Sequence, residues 1–113
     1  MGKRSKPIRQ EACKEWEKDK TMPIPEIIVY LNKNFVGDGF RTNCDVDYVG
    51  DEFNDDIISA VVVSGIWKFY QHAGYNNGHR GFSFELAPGY YPDLSVRIGS
   101  EEIGISSFRC VKP

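Results

Sequence analysis

Six carboxylates crowd the stretch "CDVDYVGDEFNDD" at 44–56: Asp45, Asp47, Asp51, Glu52, Asp55 and Asp56. Carboxylate oxygens gathered this closely are the donors a hard divalent cation such as Ca²⁺ takes. Counted from Asp45, the spacing imitates an EF-hand loop, with Asp47 third, Gly50 sixth and Asp56 twelfth. Val49 then stands at a ligand position, and the flanks lack helical periodicity, so an EF-hand is disfavoured. A solvent-facing acidic loop that raises the local cation concentration is the better reading.

Other chemistry-bearing residues are sparse. The two histidines, His72 and His79, fall close together, but no carboxylate or cysteine pattern joins them into a transition-metal or catalytic site. Cys13, Cys44 and Cys110 are odd in number and lack C-x-x-C spacing, so neither a disulfide framework nor a zinc site is indicated, and free thiols are expected. No nucleophile elbow, phosphate loop or triad spacing is present, and catalysis is not expected.

The elements that must hold these residues are strands. From "MPIPE" at 22–26 the chain becomes rich in Val, Ile, Tyr and Phe, interrupted at short intervals by Gly, Asn and Asp. This texture predicts strands near 26–31, 38–43, 57–63, 66–71, 81–86 and 103–111, with weaker ones near 46–49 and 95–98. The run "IISAVVV" at 57–63 calls for a strand central in a sandwich or buried on both faces, and "APGYYPDL" at 87–94 reads as a Pro-Gly turn. Strands of this length and spacing make an all-β sandwich or barrel.

An arrangement recurs. Tyr30, Phe35, Gly37 and Ser59 are answered by Tyr70, Tyr75, Gly81 and Ser107 in the same order. Two aromatics five apart would flank a hairpin folded back on its own sheet, with the glycine at a backbone angle that a Cβ forbids. Each such unit leaves an apolar face uncovered, and two packed face to face cover each other. The aromatics Tyr30, Phe35, Trp67, Phe69, Tyr70, Tyr75, Phe82 and Phe84 then serve as core and hairpin cover rather than as a ligand platform.

The pieces "YLNKNFVG", "FNDDIISAVVVSGIWKFY", "ELAPGYYPDL" and "ISSFRCV" resemble, in order and spacing, a βγ-crystallin domain. The resemblance implies two Greek-key motifs forming a double Greek-key sandwich of two four-stranded sheets over residues 25–113, preceded by a basic extension at 1–24. The second hairpin, "YNNGHRG", is longer than the family's by about four residues if Gly81 is the motif glycine.

Calcium-binding members of that family carry an Asn/Asp-Asn/Asp-x-x-Ser/Thr-Ser stretch in each motif, and each stretch contributes to both ions. The stretches here align as "NDDIIS", 54–59, and "EIGISS", 102–107. One implied site collects the Asp55 side chain, the carbonyls of Asp56 and Gln71, and the hydroxyl of Ser106. The other would collect Leu31, Ile58, Ile103 and Gly104, with two apolar side chains in place of oxygen donors, and is degenerate. One Ca²⁺ per chain is therefore the expectation. A slipped register, "DDIISA" at 55–60, would instead put Ser59 at the hydroxyl position. Two alternatives are a structural member that binds no ion, as lens crystallins do, and a secreted inhibitor-like or toxin-like binding module of the same fold.

Charge and composition limit the rest. Residues 1–20 hold seven basic against four acidic groups, a net +3, leaving −5 for the remainder of a chain of net −2. Such a tail more often solvates a chain than binds nucleic acid, so no nucleic-acid partner is expected. Within it, Ile8, Ala12 and Trp16 recur every four residues, the spacing of a short helix face. No apolar run suits a membrane helix or a secretory signal, from which a cytoplasmic monomer is expected.

Overall fold

Alternation of inward and outward residues marks the longer inner strands of the computed structural model, which describes residues 7–10, 24–98 and 104–113. In β2 (Glu26–Tyr30) Ile27 and Val29 turn inward; in β6 (Ile66–Tyr70) Trp67 and Phe69 do so. The remaining strands are β1 (Arg9–Gln10), β3 (Phe40–Thr42), β4 (Val46–Tyr48), β5 (Ser59–Ser64), β7 (Ser83–Leu86), β8 (Gly89–Tyr91) and β9 (Ser107–Lys112).

Two four-stranded antiparallel sheets result, in the orders β4-β9-β6-β7 and β3-β2-β5-β8, with β1 added outside β4. Each half of the chain lends a strand to the other. Val46 of β4 pairs with Phe108 of β9, and Tyr91 of β8 pairs with Ala60 of β5. This exchange makes the two Greek keys one sandwich.

The core between the sheets is built from unequal partners. One sheet supplies Trp67, Phe69 and Phe108, whose rings meet at centroid distances of 5.9 and 5.4 Å; the corresponding positions of the other sheet hold Ile27, Val29 and Ala60. Large rings facing small aliphatics fill an interior without voids. The Trp67 indole N–H donates to the Ser64 carbonyl at 2.9 Å, which removes the cost of burying it.

The repeated hairpins are as the spacing predicts. Tyr30 and Phe35 lie edge to face at 5.8 Å, and Tyr70 and Tyr75 at 5.6 Å. Phe35 and Tyr75 both take left-handed backbone angles, at φ 62° and 59°, a conformation that costs a non-glycine residue about 1–3 kcal/mol. A buried serine offsets that cost in each half. Ser59 accepts the Phe35 N–H (3.2 Å) and donates to the Asn32 carbonyl (2.5 Å); Ser107 does the same for Tyr75 (3.1 Å) and His72 (2.6 Å).

The two motif glycines differ. Gly37 has the left-handed φ of 93°, whereas Gly81 is not in that region. A Cβ on Gly81 would lie 2.8 Å from His72 Cδ2, so there the glycine is required by close approach of a ring. Six positions separate Tyr75 from Gly81 where two separate Phe35 from Gly37, which accounts for the longer arch.

Several expectations are corrected. Residues 95–98 form a helical turn, α1 (Ser95–Ile98), not a strand. Asp93 starts it by accepting the Ser95 N–H at 3.0 Å and hydroxyl at 2.5 Å. Residues 89–91, read as a turn, are β8, and the Pro-Gly pair only marks its entry. The run at 57–63 is an interior strand, but Val63 is 48% exposed, so only one face is covered. Ile8 to Gln10 is extended rather than helical: Arg9 and Gln10 pair with Tyr48 and Val46, and Ile8 packs on the core. Ala12, Trp16 and Cys13 lie outside the described residues. Cys44 is disulfide-bonded rather than free, because cysteine count and linear spacing carry no information about distance in space. Cys110 is the expected free thiol, and burial pushes its pKa up, keeping it neutral. Among the described residues no helix is long and apolar enough to cross a membrane.

Candidate metal centre

The acidic stretch does not converge on a point. Asp45 accepts the Cys110 N–H at 2.9 Å and so ties the β3–β4 connection to β9. Asp47 pairs with Arg9 at 2.8 Å, and Asp51 accepts the Tyr48 hydroxyl, which pushes the Tyr48 phenol up chiefly through that bond. Among the described residues no three of His, Cys, Asp and Glu gather to hold an ion. Any cation site must therefore rest on hydroxyl, amide and carbonyl oxygens as much as on carboxylates.

Such oxygens meet where the two halves touch. The Asp55 N–H donates to the Ile105 carbonyl at 3.2 Å, and the Ser106 N–H donates to the Tyr70 carbonyl at 3.0 Å. These bonds place Asp55, Ser106 and the neighbouring Gln71 together. The Ser106 hydroxyl donates to Asn54 Oδ1 at 2.5 Å, although Ser106 is only 8% exposed. Asp55 is exposed and has φ 65°, a left-handed angle. Gly104 abuts it: a Cβ there would stand 3.4 Å from Asp55 Oδ1. Asp56, next in the chain, donates its N–H to the Phe53 carbonyl at 3.0 Å.

At the corresponding place on the other side the oxygens are missing. The Ile58 N–H donates to the Tyr30 carbonyl at 2.9 Å, the counterpart of the Ser106 bond, and puts Ile58 beside Leu31. Ile58 packs against the core. Ile103, the other apolar replacement, lies outside the described residues. The paired bonds fix the register: Ser59 matches Ser107 as the hairpin serine and Ile58 matches Ser106, so the slipped alignment with Ser59 at the hydroxyl position does not hold.

Asn54 is the residue that sequence reasoning passed over. It stands first in the Asn/Asp-Asn/Asp-x-x-Ser/Thr-Ser stretch, and its acid-or-amide type was the available signal. The set Asn54, Asp55 and Ser106, with the carbonyls of Asp56 and Gln71, consists of hard oxygen donors and suits Ca²⁺ rather than a thiophilic metal.

Residues 26–111 match the family model described as "Beta/Gamma crystallin", most of the chain's length. Among solved structures, a βγ-crystallin from an archaeon is similar at 37% identity and TM-score 0.67, covering 79% of this chain and all of its own. A crystallin domain of Abundant Perithecial Protein from Neurospora crassa, solved in its Ca²⁺-bound form, is 31% identical with TM-score 0.59 over 80% of this chain and 92% of its own. A βγ-crystallin from Ciona intestinalis is 28% identical with TM-score 0.63 over 75% of this chain and 98% of its own. No match is found among curated protein sequences.

Proposed function

Because the chain belongs to the beta/gamma crystallin family, a structural rather than catalytic one, we propose that it is a calcium-binding member in which a single ion braces the seam between the two halves. The observation that carries this reading is the meeting of Ser106 and Asn54 beside Asp55 across the junction of the two motifs. Asp55 supplies the negative charge; Ser106, Asp56 and Gln71 supply neutral oxygens. The Neurospora domain, solved with Ca²⁺ bound, supports the reading by likeness. A site with so few carboxylates belongs at the weak end of calcium affinities, with Kd on the order of 10⁻⁴ M.

An ion that binds only the folded chain stabilises it by RT ln(1 + [Ca²⁺]/Kd), about 2.7 kcal/mol at a hundredfold excess. Calorimetric titration of the metal-free chain is expected to give one Ca²⁺ per chain and a raised melting temperature. Asp55→Ala should abolish both, with only a small fall in the ion-free melt, because the side chain is exposed but alanine tolerates the φ of 65° less well than aspartate. Binding by that variant as tight as the parent's would refute the assignment.

A second reading is favoured by the burial of Ile58: a structural member whose sites have decayed into core packing. It predicts no heat and no melting shift.

A further inference from the structure

The four-residue elongation of the second hairpin brings the chain's only two histidines together. His72 and His79 have ring centroids 5.9 Å apart with planes inclined at 56°. Metal–nitrogen bonds are about 2.0–2.1 Å, so two imidazoles on one ion have ring centres roughly 5–6 Å apart. The pair stands near that separation without rearrangement of the backbone.

His72 is held through its backbone and one ring nitrogen. Its N–H donates to Asn76 Oδ1 at 2.7 Å, its carbonyl accepts the Ser107 hydroxyl at 2.6 Å, and its Nε2 lies 2.7 Å from the Arg80 carbonyl. A carbonyl only accepts, so Nε2 carries the proton and Nδ1 keeps its lone pair. Gly81 lets the Cδ2–Nε2 edge lie against the backbone, since a Cβ there would come within 2.8 Å of Cδ2. An imidazole whose second ring nitrogen donates to a backbone carbonyl is oriented as metal-bound histidines are. The His79 N–H donates to the Asn76 carbonyl at 2.8 Å, so Asn76 anchors both residues.

We infer that His72 and His79 form a docking site for a borderline transition-metal cation such as Zn²⁺, with water completing the coordination. The first motif has no counterpart, because its hairpin closes without the inserted residues. The site uses imidazole nitrogens, which Ca²⁺ does not favour, and shares no donor atom with the oxygen cluster at Asp55, although His72 directly follows Gln71 of that cluster.

The test is titration of the full, untagged chain with ZnCl₂ in the presence of excess Ca²⁺, followed by the imidazole proton and nitrogen resonances. One Zn²⁺ per chain is expected, shifting both rings together and placing the ion on His72 Nδ1. His79→Gln, at an exposed position, should weaken binding at least tenfold without altering the melt, and His72→Gln should weaken binding equally while also lowering the melt, because it loses the ring's bond to the Arg80 carbonyl. Asp55→Ala should leave Zn²⁺ binding intact, which separates this inference from the calcium reading. Response of one ring alone, binding by His79→Gln equal to the parent, or stoichiometric binding by the double variant would overturn it.

Discussion

The two Greek keys use the same backbone scheme with different contents. Both fold a hairpin over an aromatic pair, both lock it with a serine, and both tie the hairpin to the other half: Asn34 N–H to the Pro92 carbonyl at 3.0 Å, and Gly74 N–H to the carbonyl of Asp47 in β4 at 2.8 Å. Side chains differ at nearly every matched position. Ser106 answers to Ile58, Phe108 to Ala60, Trp67 to Ile27. What the two halves share is therefore hydrogen-bond geometry, while the differences give the second half both the large core rings and the Ser106 hydroxyl, where the first half has small aliphatics and Ile58. The edges differ as well. β4 is covered by β1, whereas β8 is a three-residue edge flanked by Pro88 and Pro92, residues that lack the N–H a further strand needs.

The largest effect should come from the unequal core. Phe108→Ala removes a ring that touches both Trp67 and Phe69, and a cost of about 3–5 kcal/mol is expected in a denaturant titration. The matched substitution Ala60→Phe should cost about 1–3 kcal/mol by overpacking. If Phe108→Ala cost less than about 1 kcal/mol, the idea that this sheet supplies most of the bulk would be wrong.

Next come the serines, where the halves should behave alike. Ser59→Ala and Ser107→Ala each leave a carbonyl and an N–H without their hydroxyl partner, at an expected cost of about 1–3 kcal/mol. The two costs should agree to within about 0.5 kcal/mol. A larger gap would show that the longer second hairpin carries its own support, for instance through the Asn76 side-chain bonds to His72 and Phe82.

These same positions explain what could be read without coordinates. The aromatic–aromatic–serine spacing made the repeat legible, but the register of the Asp55 stretch, 54–59 or 55–60, was decided by the matching bonds of Ser59 and Ser107. Features that depend on proximity in space were not legible. Gly89 follows a proline and reads as a turn, yet its strand is recruited by Val62 from the other motif. β1 has two residues, too few to show alternation, and takes its conformation from the edge of β4. The disulfide at Cys44 and the approach of the His79 ring to His72 likewise depend on chain folding that linear spacing does not encode. Asn54 was legible by type but gained meaning only once Ser106 was seen to donate to it.

The smallest effects distinguish the loops by pH. Asp93 and Tyr48 occupy matching places, each two positions beyond its strand's pairing residue, Tyr91 and Val46. The Ser95 hydrogen bonds, helped by Lys33 at 3.4 Å, hold the Asp93 carboxyl below its ordinary 3.8. A depressed carboxyl stabilises the fold above that value, and the contribution is lost as pH falls through the folded pKa. For Tyr48 the sign reverses. Its phenol, donating to Asp51, is raised above the ordinary 10.0, so its contribution is present below that value and is lost as pH rises beyond the folded pKa. Both groups are partly open to solvent, which screens their interactions, so shifts of a few degrees at most are expected in melts across the pH range. Asp93→Asn should flatten only the acid limb and Tyr48→Phe only the alkaline limb. If either variant altered the opposite limb, the two loops would be coupled through the core rather than tied down independently.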